Sequence, residues 1–228
     1  MNKKFLVIGN PIKHSLSPKL HSYWIKKNNL KASYDKKLLE KDEIQQLILD
    51  VREEKIHGLN VTVPFKKMII PFLDILSEEA KNSQSVNTVY KIKDKVIGDN
   101  TDIYGFKKGL ETANQIIKNK DVLILGAGGV VPSIIIALKE MQISKIYLSN
   151  RTKLKALELK KLFPEIEIIE WGQVSNFDIM INATSIGLNN KDEINIDYKK
   201  ISQKKFFYDV IYNPKETNFL RRAKEFGA

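Results

Sequence analysis

Between residues 121 and 212 the chain repeats one pattern. Short segments that are apolar for most of their length, "DVLILGAGG", "KIYLSN", "EIEIIE", "FDIMINAT" and "FFYDVIY", alternate with helix-patterned stretches such as "VVPSIIIALKEMQ" and "TKLKALELKKLF". A strand with one face in water alternates polar and apolar residues, whereas a strand covered on both faces does not. Helical crossovers supply cover on both faces. The second half is therefore predicted to be a doubly wound parallel sheet.

The first half also alternates strand and helix. "KFLVIG" ends at Gly9 and Pro11, and "SPKLHSYWIKKNNL" follows as a helix with Ser17 at the N-cap and Pro18 at its first position. "ASYDKKLL" reads as a strand, and "KDEIQQLILDVREEK" as an amphipathic helix with Ile44, Leu47, Ile48 and Val51 on one stripe. After the strand in "GLNVTVPFKK" comes a helical region to about Asn82, then "VNTVYKIKDKVIGDN" as a β-hairpin. "TDIYGFKKGLETANQIIKNK" is expected to be a helix bridging the halves. With 228 residues available for two modest cores, the reading is two consecutive α/β domains joined near residue 102. Residues 1–102 are read as one α/β domain, and 103–228 as a Rossmann-like, doubly wound domain.

Composition narrows the function classes. The 43% hydrophobic and 29% charged residues are an ordinary globular balance. With no cysteine, there is no disulfide framework, thiolate nucleophile or cysteine-ligated metal site. "MNKKFLVIGN" is too short in its apolar part for a signal peptide or a membrane span, so the protein is read as cytoplasmic with no membrane partner. The net charge of +11 comes from lysines scattered in pairs along polar faces, which speaks against nucleic acid and leaves a field that attracts small anions.

In "DVLILGAGGVVPS", Gly126, Gly128 and Gly129 stand on a strand-to-helix turn, where the backbone can approach a pyrophosphate stabilised by the helix N-terminus. The third small position of the fingerprint is Val131, so the match is imperfect. About 20 residues on, "YLSNRT" offers Asn150 and Arg151 where NAD enzymes place an acid. A carboxylate there would repel a 2′-phosphate, whereas an arginine pairs with it, so the cofactor is read as NADP.

Polar residues gather at strand ends in the first half. "KHSLSP" supplies Ser15 and Ser17, "NVTVPFK" supplies Asn60, Thr62 and Lys66, "VNTV" supplies Asn87, and "GDNTD" supplies Asp102. Taken singly, each has a structural explanation as a cap, an edge-strand polar residue, a turn former or a helix N-terminal charge. Taken together, hydroxyls and amides beside a lysine and an aspartate describe a pocket for a small polyhydroxylated acid, with Lys66 placed to exchange a proton.

The motifs "SLSP", "GLNVTVPFK", "VNTV", "GDNTDIYG", "GAGGV", "NRT", "NATSIG" and "DVIYNP" resemble, in kind and order, those of the shikimate dehydrogenase family, and they span nearly the whole chain. The resemblance implies NADP-dependent interconversion of 3-dehydroshikimate and shikimate, a step in aromatic amino-acid biosynthesis, on two α/β domains with the active site in the cleft. It assigns Ser15, Ser17, Asn60, Thr62, Asn87 and Tyr212 to substrate, and Lys66 with Asp102 to catalysis. Gly126, Ala127, Gly128, Gly129 and Val130 fall to the pyrophosphate, and Asn150, Arg151, Thr152 and Lys155 to the adenosine end. Thr184, Ile211 and Glu78 fall to the rest of the cofactor, and no metal is implied.

Three departures accompany the resemblance: "QSVNTV" lacks the usual small residues before Val86, Pro132 enters the glycine-turn helix, and the sequence stops at "EFGA". Family members are expected to continue there through a glycine-led helical segment bearing a substrate-contacting glutamine. Rival readings are a quinate/shikimate dehydrogenase of broader range and a non-catalytic metabolite-binding module. Monomer and homodimer both stay open.

Overall fold

A computed structural model describes residues 2–174, 176–189, 192–201 and 204–228. Two compact units emerge, Met1–Gly105 and Phe106–Ala228. The chain runs through β1 (Lys3–Gly9), α1 (Ser17–Lys27), β2 (Ala32–Leu38), α2 (Ile44–Arg52), β3 (Gly58–Val61), α3 (Phe65–Met68), β4 (Ile75–Leu76), α4 (Glu78–Ser83), β5 (Thr88–Ile92) and β6 (Lys95–Asp99). α5 (Asp102–Thr112) carries it across the unit boundary.

The first sheet has the order β2-β1-β3-β5-β6-β4. β1 runs parallel to β2 and β3, but β5 is antiparallel to both β3 and β6, so this sheet is mixed. A tight hairpin between β5 and β6 reverses the chain where a parallel sheet would need a crossover. That reversal positions the site: the start of β5 lies beside the end of β3. Val7, Asn60, Thr88 and Asp99 fall in one row across β1, β3, β5 and β6.

The predicted stripe on α2 is the packing face. Ile44, Leu47, Ile48 and Val51 are all buried, in one cluster with Leu59 and Phe65; each such side chain contributes roughly 1.5–3 kcal/mol. Two expectations need correction. Ser17 is not the N-cap of α1: Leu16 occupies that position in helical backbone geometry, and the Ser17 N–H is instead taken by the Ser15 hydroxyl at 3.3 Å. The helical region expected up to Asn82 is broken by β4, which pairs parallel with β6.

The second unit contains β7 (Asp121–Leu125), α6 (Val131–Glu140), β8 (Lys145–Ser149), α7 (Lys153–Leu162), β9 (Glu167–Ile169), β10 (Ile179–Asn182), β11 (Phe206–Asp209) and α8 (Asn218–Glu225). Its sheet is parallel throughout, in the order β11-β10-β7-β8-β9. The strand order reverses between β7 and β10, the kind of point where open α/β sheets bind ligands beyond the carboxyl ends of their strands. Leu123, Leu125, Phe177, Met180 and Phe219 lie at the centre of one core cluster. α5 ends at Thr112, short of the expected Lys120, because Asn114 and Asn119 take positive φ. Among the described residues no helix is long and apolar enough to cross a membrane.

Candidate active site

In the first unit the sheet and the turns that follow its strands bring polar side chains to one edge. β3 delivers Asn60 and, just past its end, Thr62; α3 then places Lys66 on its first turn. The Lys66 Nζ donates to Asp102 Oδ2 at 2.6 Å. Lys66 is the one charged residue in the buried set among the described residues, only 9% exposed. Asp102 opens α5, and the Asn100 amide oxygen holds that helix start by accepting the N–H of Asp102 at 2.9 Å.

Asn87 stands between the ion pair and the sheet. Its amide nitrogen donates to Asp102 Oδ1 at 2.8 Å and to the Thr101 hydroxyl at 2.9 Å; its oxygen accepts the Thr101 N–H and the Thr88 hydroxyl, both at 3.0 Å. Asn60 is equally committed. Its oxygen accepts the Tyr34 hydroxyl at 2.6 Å, and its nitrogen donates to Thr88 Oγ1 and to the Asn87 carbonyl. Both amides therefore use their hydrogen-bonding capacity within the protein. Ser17 joins the group by hydrogen bonding to Tyr34, whose phenol is pushed above its ordinary range by burial. Tyr34 also stacks on His21 with ring centroids 4.1 Å apart.

Thr62 is half-buried at the end of β3. Two of the residues first assigned to ligands lie elsewhere in the chain's architecture. Glu78 is an exposed first-turn carboxylate of α4 in the first unit, where it complements the helix N-terminus. Tyr212 belongs to the second unit and is 64% exposed.

The second unit arranges its candidates at the carboxyl ends of parallel strands. Gly126 follows β7 with φ of +113°, and a Cβ there would lie 2.7 Å from the Ala183 carbonyl oxygen, so only glycine fits. Ala127, Gly128, Gly129 and Val130 complete the turn into α6, whose N-terminus has no side-chain cap and carries Pro132 in its first turn. Asn150, Arg151 and Thr152 follow β8; Arg151 is exposed, Thr152 is the N-cap of α7, and Lys155 is exposed on its first turn. A glycine turn that only a bare backbone can make, leading to an uncapped helix start, suits a pyrophosphate. The basic end of β8, with Arg151 exposed, suits a 2′-phosphate.

Thr184 and Ile211 follow β10 and β11, and a buried network holds both loops. The Asn182 oxygen accepts the Thr184 N–H at 3.0 Å and the Thr184 hydroxyl at 2.7 Å. The Asp209 carboxylate accepts from the Asn182 amide at 3.1 Å, the Ile211 N–H at 2.9 Å and the Thr217 hydroxyl at 2.6 Å. Sequence reasoning passed over Tyr34, Thr88, Asn182 and Asp209. The available signal for the last was a lone carboxylate ending the otherwise apolar strand "FFYD".

Burial raises the Asp209 carboxyl above its usual range, with the three donors opposing the shift. A carboxyl raised in the folded state contributes stability that is full below its unfolded value and is lost as pH rises through the raised folded value. Asp209→Asn removes that titration. It also turns one acceptor into a donor facing other donors, so the variant should be less stable at every pH. Its deficit in urea midpoint against the parent should nevertheless shrink from about pH 3.5 to about pH 7; a deficit constant over that range contradicts the shift.

Known proteins converge on one family. The family model described as shikimate dehydrogenase substrate binding domain matches residues 7–89, and that described as shikimate / quinate 5-dehydrogenase matches residues 110–218. The shikimate dehydrogenase (NADP(+)) of Pelagibacter ubique is 72% identical over 227 residues, covering 100% of this chain and 86% of that protein. The crystal structure of shikimate dehydrogenase from Aquifex aeolicus superposes with a TM-score of 0.92 at 38% identity, over 100% of this chain and 85% of that one. The Thermus thermophilus enzyme, solved with NADP(H) and shikimate, gives 0.89 at 30% identity, over 99% and 85%. Both halves of the sequence, the paired lysine and aspartate at the edge of the mixed sheet, and the glycine turn of the parallel one thus lead to the same place: the chain belongs to the shikimate dehydrogenase family.

Proposed function

We propose that the chain catalyses the reversible, NADP-dependent reduction of 3-dehydroshikimate to shikimate, within the shikimate pathway to aromatic amino acids. The observation that carries the reading is the buried Lys66 paired to Asp102 at 2.6 Å. Burying an ion pair is a costly way to stabilise a fold, and an apolar pair of similar volume usually serves as well or better. A lysine held in this way at the polar edge of a sheet is explained by proton transfer.

When bound, NADPH supplies the hydride for the ketone carbon; Gly126, Ala127, Gly128, Gly129 and Val130 would hold its pyrophosphate, Asn150, Arg151, Thr152 and Lys155 its adenosine end, and Thr184 and Ile211 the remainder. As the C=O bond becomes C–O, the oxygen gains an electron pair and takes a proton from the Lys66 ammonium. Lys66 is left neutral and regains its proton from water. In the reverse direction neutral Lys66 accepts the hydroxyl proton as hydride leaves the carbon. Asp102 keeps Lys66 oriented through Oδ2, while Oδ1 is fixed by Asn87, so the carboxylate has lone pairs left to accept from a substrate hydroxyl. Ser15, Ser17 and Thr62 supply further hydroxyls from the first unit.

The test is absorbance at the NADPH band with 3-dehydroshikimate, with NADH and quinate plus NADP+ as further arms. NADPH consumption tied to shikimate formation is expected; a protein that binds shikimate without turnover fits the metabolite-binding alternative and overturns the proposal. Comparable rates with quinate would instead place the chain among broad-range enzymes. Arg151→Ala is expected to raise KM for NADPH by roughly 10–100-fold, the loss for one charge-assisted contact of about 1.5–3 kcal/mol, and to leave the weak use of NADH unchanged. Equal use of NADH and NADPH by the parent contradicts the role given to Arg151.

A further inference from the structure

The polar groups behind the ion pair form a chain with one direction. Asp102 is an acceptor only, so Asn87 must turn its NH2 towards it, as the 2.8 Å contact shows. The Thr101 backbone N–H, a donor only, independently fixes the Asn87 oxygen on the opposite side at 3.0 Å. That oxygen accepts the Thr88 hydroxyl proton at 3.0 Å, which leaves the Thr88 oxygen to accept from Asn60 Nδ2 at 3.2 Å. The Asn87 carbonyl, again an acceptor only, fixes the Asn60 nitrogen at 3.3 Å, so the Asn60 oxygen faces Tyr34 and accepts its hydroxyl at 2.6 Å.

Two backbone groups thus decide both amide orientations, and the two hydroxyls have no choice of polarity left. Four successive bonds, Tyr34 to Asn60, Asn60 to Thr88, Thr88 to Asn87 and Asn87 to Asp102, all donate towards the carboxylate. Hydrogen bonds aligned in this way polarise one another.

We propose that Tyr34 and Thr88 are positioning residues for the reaction: through the amides of Asn60 and Asn87 they lock Asp102 Oδ1, so that Oδ2 holds the Lys66 ammonium in one orientation. Neither residue needs to touch substrate. Tyr34 is suited to the outer end because its ring is anchored among Val7 and Ile12 and stacked on His21. Burial also keeps its phenol protonated, and therefore a donor, throughout the working pH range. Thr88 is the link with the clearest test, because its hydroxyl is the bridge between the Asn60 amide of β3 and the Asn87 amide just before β5.

The inference rests on Lys66 and Asp102 being the catalytic pair, so the experiment separates the two ideas. Thr88→Val keeps the β-branched shape and removes the hydroxyl, Thr88→Ser keeps the hydroxyl, and Lys66→Ala serves as reference. For Thr88→Val, kcat is expected to fall roughly 5- to 20-fold, the scale of losing a hydrogen bond within a network, with KM for NADPH unchanged. Thr88→Ser should return kcat to within about 2-fold of the parent, and Thr88→Val added to Lys66→Ala should cost less than about 2-fold more, because groups acting as a unit are not additive. Parent-like kcat in Thr88→Val, failure of Thr88→Ser to rescue, or an undiminished effect on top of Lys66→Ala each overturns the chain. If Lys66→Ala itself keeps parent-like kcat, the catalytic pair is wrong and the chain falls with it. Should Thr88→Val fail to fold, Tyr34→Phe carries the test: a roughly 3-fold fall in kcat alone supports the chain, and no fall overturns it.

Discussion

Replacing Lys66 by alanine should lower kcat by 10²- to 10⁴-fold, the range in which loss of a positioned general acid commonly falls, while the affinity for shikimate drops much less. The split follows from where the lysine sits. Its ammonium donates to Asp102, and the surrounding amides are held by the backbone and by one another, so the rest of the polar edge survives its removal. What disappears is the proton for the developing oxygen anion. The truncation also leaves the Asp102 carboxylate without its cation in a half-buried place, so the urea midpoint should be measured alongside. Lys66→Met fills the space without the charge and should fold at least as well as Lys66→Ala with the same low kcat. Near-normal kcat in either variant removes Lys66 from the mechanism, whatever its effect on stability.

How far such a site can be read from sequence depends on which link of the argument a residue belongs to. The alternation of apolar strands with helices made the second sheet legible, because covering both faces of a parallel sheet leaves few polar positions on its central strands, and those at the strand ends. β7 and β10 are indeed buried almost throughout. The α2 stripe was legible for the same reason, with a period of a helix instead of a strand. The mixed character of the first sheet was less so. The hairpin of β5 and β6 could be seen, but pairing with β3 is a long-range choice that no local pattern encodes.

Polar residues at strand ends drew attention to Asn60 and Asn87, and the inference that they gather near Lys66 matches their geometry. Their partners could not be read in the same way. An asparagine looks alike in sequence whether its amide points outward or is taken up by Thr88 and Thr101, and only tertiary contacts decide. Ser17 shows the opposite error. Serine before proline at the start of a helical pattern is a strong cap signal, yet the helix begins one residue early and the hydroxyl goes to Tyr34. A cap is worth about 1 kcal/mol, a margin small enough for tertiary contacts to override.

Gly126→Ala should destabilise the protein by about 2–4 kcal/mol, combining the strain of an ordinary residue at strongly positive φ with overpacking against backbone. At Gly126 the φ is +113°, and the new Cβ would meet the Ala183 carbonyl oxygen at 2.7 Å and its carbon at 2.8 Å. Neither atom can give way easily. The Ala183 N–H is bonded to the Leu125 carbonyl and the Gly126 N–H to the Ser149 carbonyl, so the turn is tied to β10 on one side and β8 on the other. Gly128 provides the contrast, because a Cβ there would meet only the Ala183 oxygen, at 3.9 Å. Its freedom from protein contact means that any cost of Gly128→Ala falls on the approach of a ligand. Gly128→Ala should therefore keep the parent unfolding free energy within about 0.5 kcal/mol, the ordinary range for an exposed position, while raising KM for NADPH about 10-fold. The two variants together divide the glycine turn into a part required by the fold and a part required by the pyrophosphate. Urea unfolding and NADPH kinetics on both decide it: a Gly126→Ala protein as stable as the parent contradicts the steric argument, and a Gly128→Ala enzyme with parent KM removes the turn from the cofactor site.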